Sequence, residues 1–217
     1  MKPDVKINTS VVAQTALSLL DDTGLDGLTM RRVADKLGVQ PGALYWHVKS
    51  KQELLDAMAS AIFADAAAGL EAPRASMSWQ DWLCDWARQL RRAMLRYQDG
   101  AKVFAGASLQ EPAVFRATEL ALRTLEDGGF AVRPAARSVA TLLHYTVGFT
   151  MEEQAHTAAK AAGGGEEHQL IDKHRFPLTA QVYAHDTLFD PDTDECFDYG
   201  LAIMVNGMQA THSPDKN

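Results

Sequence analysis

From Leu28 to Lys51 the chain reads LTMRRVADKLGVQPGALYWHVKSK, and a glycine at 38 followed by a proline at 41 leaves room only for two short helices. Thr29 has the side chain of an N-cap, and Leu28 and Val33 stand at the N′ and N4 positions of a hydrophobic staple. Val33, Ala34 and Leu37 share one face before Gly38 ends the first helix. Val39 and Gln40 lead to Pro41, which suits the first position of the next. Pro41, Leu44 and Val48 then recur at spacings of three and four on an inner face. Two short helices about a glycine turn predict a helix-turn-helix whose second helix is sized for the major groove of DNA.

Residue types around the turn fit that use. Leu37, Val39, Leu44 and Val48 would set the angle between the helices, while Gly42 and Ala43 keep the leading end slim enough to approach base edges. Tyr45 and His47 flank the groove, with Tyr45 suited to phosphate or base. Arg31 and Arg32 reach phosphates, Arg31 also being able to bond a guanine in bidentate fashion, and Lys49 and Lys51 extend the phosphate grip. Thr29, Gln40, Pro41 and Gly42 complete the predicted DNA-binding set.

A formal net charge of -7 over 217 residues argues against nucleic acid only if charge is spread evenly. It is not. Residues 1–51 hold seven basic and five acidic side chains, a net of +2, which leaves -9 for the remainder. A weakly basic N-terminal module is expected on an acidic body. With 47% hydrophobic and 23% charged residues the chain can bury a core. No apolar run approaches the roughly 18 residues of a membrane span, and no signal sequence opens it, so a cytoplasmic protein with no membrane partner is expected. Cys84 and Cys196 lie in no CxxC or metal-ligand cluster and are read as small core or interface residues.

Helical periodicity continues throughout, and no convincing strand alternation interrupts it, so the fold class is all-α. Asn8 or Thr9 caps a first helix carrying Val12, Ala16, Leu19 and Leu20, stopped at Gly24. A helix from Lys51 to Leu70 carries Leu54, Leu55, Met58, Ile62 and Phe63. Ser78, with Asp81 three residues on, opens one that runs from Trp79 through Trp82, Leu83, Trp86, Leu90 and Met94 to an end at Gly100. Leu142, Leu143, Val147 and Met151 mark another. Phe197, Leu201, Met204, Val205 and Met208 form a last apolar stripe, where Gly200 and Gly207 allow close helix approach. Gly163–Gly165 with the following EEH reads as a mobile loop, either a plain linker or a ligand lid. The expected division is a DNA-binding domain at 1–50 and an effector-binding and dimerisation domain at 51–217.

The stretch LDGLTMRRVADKLGVQPGALYWHVKSKQELL, Leu25 to Leu55, resembles the DNA-binding domain of the tetracycline-repressor (TetR) family, and LYWHVKSKQELLDA is especially close to the tetracycline repressors proper. SWQDWL (Ser78–Leu83), DGAKVFAG (Asp99–Gly106) and HYTVGFTMEEQ (His144–Gln154) are similar, in the same order, to parts of those repressors' core. The resemblance implies a homodimer built from the His144 helix and the last helix of each subunit. It also implies a small-molecule effector in the core that shifts the linking helix and moves the two DNA modules out of register on their operator. Two copies spaced about 34–36 Å apart fit successive major-groove turns, so a palindromic operator is expected.

The same resemblance bears on the effector. Tetracycline repressors hold a magnesium–tetracycline chelate through a histidine, a threonine and a glutamate; the matched positions here are Phe104, Ala107 and Glu152. Phenyl cannot ligate magnesium, which wants oxygen ligands and water. Positions matched to polar drug-ring anchors hold Ala67, Trp86, Leu90 and Leu120. The expected guest is therefore hydrophobic and metal-free, touching Trp82, Trp86, Leu90, Phe104, Ala107, Leu120, His144 and Met151, with Glu152 or His144 as an orienting polar group. No cofactor is expected.

A second reading is a helical di-metal carboxylate enzyme, since Glu153-Gln154-Ala155-His156 is a Glu-x-x-His. Such sites want a second copy and further inward glutamates, which the chain lacks, and HExxH, GxSxG and GxxxxGK[ST] are missing as well. A partly solvated face bearing Glu152, Glu153 and His156 is the preferred account of the motif.

Overall fold

The computed structural model describes residues 7–163, 171–183 and 194–212, all of whose regular structure is helical. The chain divides into two compact units, Met1–Val147 and Gly148–Asn217.

In the first unit α1 (Thr9–Gly27) begins where the Asn8 side chain accepts the Val11 N–H at 2.8 Å, and it buries Val12, Ala13, Ala16, Leu17, Leu19 and Leu20. Gly24 breaks it as expected, with φ 60° and ψ 178°, and one further turn carries the chain to Gly27. Then α2 (Met30–Leu37) starts at Thr29, whose hydroxyl accepts the Arg32 N–H at 3.2 Å, and the staple residues Leu28 and Val33 are both buried. Gly38 ends it in the left-handed region, φ 71°, which glycine enters without a Cβ penalty. The Val39 N–H reaches back to the Ala34 carbonyl and that of Gly38 to Asp35, so two otherwise orphaned carbonyls are satisfied. Pro41 opens α3 (Pro41–Leu44), and the His47 and Val48 N–H groups both return to the Leu44 carbonyl, so the turn continues to Val48.

Ser50 starts α4 (Lys51–Ala66) by accepting the Glu53 N–H, and the Glu53 carboxylate accepts the Lys49 N–H. This helix buries Leu54, Met58, Ala59, Ile62, Phe63 and Ala66, and packs on α1, α5 and α6. It is shorter than the sequence reading, which ran it to Leu70. Ala67 caps it, Gly69 takes φ 75°, and the resulting turn points Leu70 inward.

The wide apolar face of α5 (Trp79–Leu95) is buried from Trp82 to Met94. Gly100 does not end this helix, contrary to expectation; it opens α6 (Gly100–Ala105). The requirement for glycine is steric, because a Cβ there would overlap the Met94 carbonyl oxygen. Asp99 precedes it with φ 58°. After α7 (Pro112–Asp127), α8 (Val132–Ala161) begins in the first unit and ends in the second.

The second unit holds the end of α8, α9 (Pro177–Tyr183) and α10 (Asp194–His212). Phe197, Leu201, Val205 and Met208 of α10 are buried as the stripe predicts, with Met204 half-buried. Phe149 meets Phe197 edge-on, ring centroids 5.1 Å apart. Gly207 faces open space, so no close approach explains it within the chain. Of the glycine-loop reading, only Gly163 falls among the described residues.

Candidate nucleic-acid interface and effector core

The reading head is sorted by burial. Leu28, Val33, Ala34, Leu44 and Val48 form its floor, and Leu37 and Val39 are half-buried beside them. Arg31, Arg32, Gln40, Gly42, His47, Lys49 and Lys51 are exposed, and Pro41 is half-buried at the first position of α3. Thr29 is exposed, but its hydroxyl serves the cap of α2. Gln40 makes no side-chain cap bond, so its amide is available to a partner. A Cβ at Gly42 would meet nothing within 4 Å, so the leading end is open as well as slim.

Tyr45 is 49% exposed and Trp46 87% exposed, which puts two aromatic rings on the surface of a head whose apolar floor is closed. Trp46 was missing from the sequence-derived set. The signal for it was present, since Trp46 stands two residues from both Leu44 and Val48, and in a helical turn that position faces away from the side they bury.

Two carboxylates tie the head to the core. Asp21 of α1 accepts the Gln98 N–H at 3.0 Å, and Asp99 accepts the Leu25 N–H at 2.9 Å. Lys102 lies 2.8 Å from Asp99. Burial pushes the Asp99 carboxyl upward, but the hydrogen bonds from Lys102 and Leu25 and the Lys102 charge outweigh it and hold the group below its ordinary value. Further along, Gln52 Nε2 donates to Asp56 Oδ1 and to the Gly106 carbonyl, and the Ser108 N–H donates to Asp56 Oδ1. The first turns of α4 therefore hold the residues that directly follow α6.

Behind that clasp lies an aromatic cluster. The Phe63 ring meets Trp86 edge-on at 5.6 Å and stacks near-parallel to Phe104 at 6.4 Å. Trp86 and Phe104, both predicted to touch the effector, thus share Phe63, which the pocket prediction left out although it lay on the α4 stripe. Trp82 and Leu90 are buried, and Trp82 donates its indole N–H to the Glu71 carbonyl at 2.8 Å. Ala107 and Leu120 are half-buried and His144 is exposed. Met151, half-buried, and Glu152, exposed, lie in the second unit.

The metal-enzyme reading gains nothing from the coordinates. Among the described residues no group of three or more His, Cys, Asp or Glu is placed to hold a metal ion. The expected solvated face is also corrected: Glu152 is exposed but Glu153 is 6% exposed, because consecutive helical residues point about 100° apart. Among the described residues no helix is long and apolar enough to cross a membrane.

A closed helix-turn-helix with exposed arginines and a slender second helix, joined by one long helix to a helical core with an aromatic cluster, defines a ligand-responsive DNA-binding transcriptional regulator. The chain belongs to the TetR family. The family model described as "Bacterial regulatory proteins, tetR family" matches residues 13–58, and that described as "Tetracyclin repressor-like, C-terminal domain" matches residues 72–212. The tetracycline repressor protein class A from transposon 1721 of Escherichia coli is 38% identical over 204 residues, 94% of this chain and 91% of that protein. A possible TetR family transcriptional regulator from Streptomyces coelicolor A3(2) superposes with a TM-score of 0.82 at 35% identity, covering 94% of this chain and 100% of that one. The TetR family protein ActR of Streptomyces coelicolor, in complex with actinorhodin, gives a TM-score of 0.77 at 25% identity, over 98% and 99% of the two chains.

Proposed function

We propose that this chain is a homodimeric cytoplasmic repressor, with no catalytic activity, that holds a palindromic operator and releases it when a hydrophobic, metal-free effector enters the core. Residues 1–50 serve as the reading head and residues 51–217 as the effector-binding and dimerisation part. Thr29, Arg31, Arg32, Gln40, Pro41, Gly42, Tyr45, His47, Lys49 and Lys51 make the DNA contacts, joined by Trp46. The last helix of each subunit and the His144 helix form the dimer contact.

The observation that carries the effector reading is the Phe104 ring stacked on Phe63 beside Trp86. A phenyl at 104 and a methyl at 107 offer no oxygen or nitrogen to magnesium, so this donor set does not fit a metal chelate. It fits an apolar, flat guest that competes for aromatic contact. The relative bound to actinorhodin supports a guest other than tetracycline for this fold.

An effector can shift the head only by binding the DNA-incompetent arrangement more tightly, about 1.4 kcal/mol for each tenfold of preference. Phe104 stands in α6, and the residues just after that helix are held by Gln52 and Asp56 of α4. A guest that displaces Phe104 therefore pulls on α4, whose N-terminus follows the reading segment directly. Selection of bound DNA from a random pool, with and without a panel of hydrophobic antibiotics, tests both halves. A palindromic product lost on adding one compound is expected; a selection that yields only single half-sites would contradict the dimer.

A further inference from the structure

The turn between α1 and α2 has two unlike attachments, one to the core and one to the reading surface. On the core side, Asp99 Oδ2 accepts the Leu25 N–H at 2.9 Å while Oδ1 pairs with Lys102 at 2.8 Å, so both carboxylate oxygens are engaged. Gly24 lets the carboxylate come this close, because a Cβ there would stand 3.2 Å from Asp99 Oδ2. The turn is also stiffened from within. The Leu28 N–H returns to the Leu25 carbonyl, and the Thr23 hydroxyl lies 3.0 and 2.9 Å from the Leu19 and Gly24 carbonyls.

On the reading side the same turn is the bed of Arg32. A Cβ at Gly27 would stand 3.3 Å from Arg32 Nη1 and 3.1 Å from Thr23 Cβ, so the guanidinium lies over the bare backbone at 27, beside Thr23. The backbone N–H of Arg32 is fixed separately by the Thr29 hydroxyl. Among the described residues the guanidinium has no hydrogen-bond or ion-pair partner, and Arg32 is exposed, so its charge is not cancelled within the fold. A long side chain loses rotamer freedom when it grips a phosphate, and resting it beforehand on a fixed surface lowers that cost.

We propose that Asp99, which lies outside the DNA-contacting set, is a positioning residue for operator binding: by holding Leu25 it fixes the turn from Gly24 to Leu28, and that turn holds the Arg32 guanidinium ready for a phosphate. The inference rests on the reading of Arg32 as a DNA contact. Without the Asp99 carboxylate the turn is released, Arg32 loses its bed, and operator affinity falls although no DNA-facing residue has changed.

A double-mutant cycle tests the function, read by fluorescence anisotropy of the full chain on the palindromic duplex recovered by selection. Asp99→Ala should weaken binding about tenfold in the wild-type background and less than about twofold in the Arg32→Ala background. Either single variant, and the pair, should reduce the salt slope of binding by about two, one phosphate contact from each subunit. Gly27→Ala displaces the guanidinium while leaving the bond from Leu25 to Asp99 in place, and should reproduce the change in slope. Asp99→Asn keeps an acceptor for Leu25 and should lose less than Asp99→Ala. Nuclear magnetic resonance without DNA tests the linkage itself: in Asp99→Ala the Gly27 amide and the Arg32 Nε–H signals should shift while circular dichroism stays unchanged. Additive losses in the cycle, an unchanged salt slope, or Gly27 and Arg32 signals that stay in place would overturn the proposal. Should the wild type bind no duplex at all, the regulator reading fails, and the resonance shifts alone decide whether Asp99 holds the bed of Arg32.

Discussion

Asp99 accepts the Leu25 N–H at 2.9 Å from an N-cap position at which its carboxylate caps no backbone N–H of its own helix and pairs there only with the Lys102 side chain. An aspartate that caps nothing at the start of α6 and instead holds the α1–α2 turn acts as a strut between core and head. Its counterpart Asp21 holds Gln98 in the opposite direction. Asp99→Ala should lower stability by about 1–3 kcal/mol, the cost of removing a charged partner from its donors, measured by urea denaturation. Asp99→Asn keeps an acceptor oxygen and should lose less.

The strut also has a pH signature. The folded-state pKa of Asp99 is depressed, so its contribution is present above the ordinary carboxylate value of 3.8 and is lost as pH falls through the folded value. Stability of the wild type should therefore fall below about pH 4 with a steeper slope than that of Asp99→Asn, whose amide does not titrate there. Parallel slopes would show that the carboxylate charge contributes nothing.

Gly100→Ala tests the close approach of α6 to the end of α5. A methyl there overlaps the Met94 carbonyl, which is backbone and cannot swing aside. Destabilisation of about 1–3 kcal/mol is expected from overpacking, against a few tenths at Gly42, where the added Cβ meets nothing.

Magnesium–tetracycline tests the donor set around Phe104. Calorimetry with the chelate should show no submicromolar binding to the wild type, because neither Phe104 nor Ala107 can ligate the metal. Submicromolar binding would show that the metal is held without those positions and would remove the reason for expecting an apolar guest.

Trp46 offers a spectroscopic check on the head. It is 87% exposed while Trp82 and Trp86 are buried and Trp79 is half-buried against Phe130, so it should be the tryptophan most accessible to acrylamide or iodide. Trp46→Phe should remove most of the quenchable emission and leave helical content unchanged. Protection of Trp46 on adding operator would place it in the interface.

Much of this was legible because the informative signals were local. The caps at Asn8, Thr29 and Ser78, the stop at Gly38 and the staple of Leu28 with Val33 are short-range chemistry, and each stands where the residue types require. The failures were of another kind. Gly100 looks like a helix stop until the Met94 carbonyl is seen above it, and the bond from Leu25 to Asp99 joins positions that no local pattern relates. Phe63 was read as one more residue of an apolar stripe, because periodicity shows that a residue is buried and not which rings it meets.

The central claim is that the surface from Gln40 to Lys51, with Arg31, reads duplex DNA, and fluorescence anisotropy with labelled duplexes measures this most directly. A palindrome recovered by selection should bind at least about 10³-fold more tightly than a scrambled duplex at physiological salt. Arg31→Ala should cost the palindrome about 1–3 kcal/mol without change in helical content. No binding to any duplex even at low salt, or equal affinity for the palindrome and its scramble, would contradict the account.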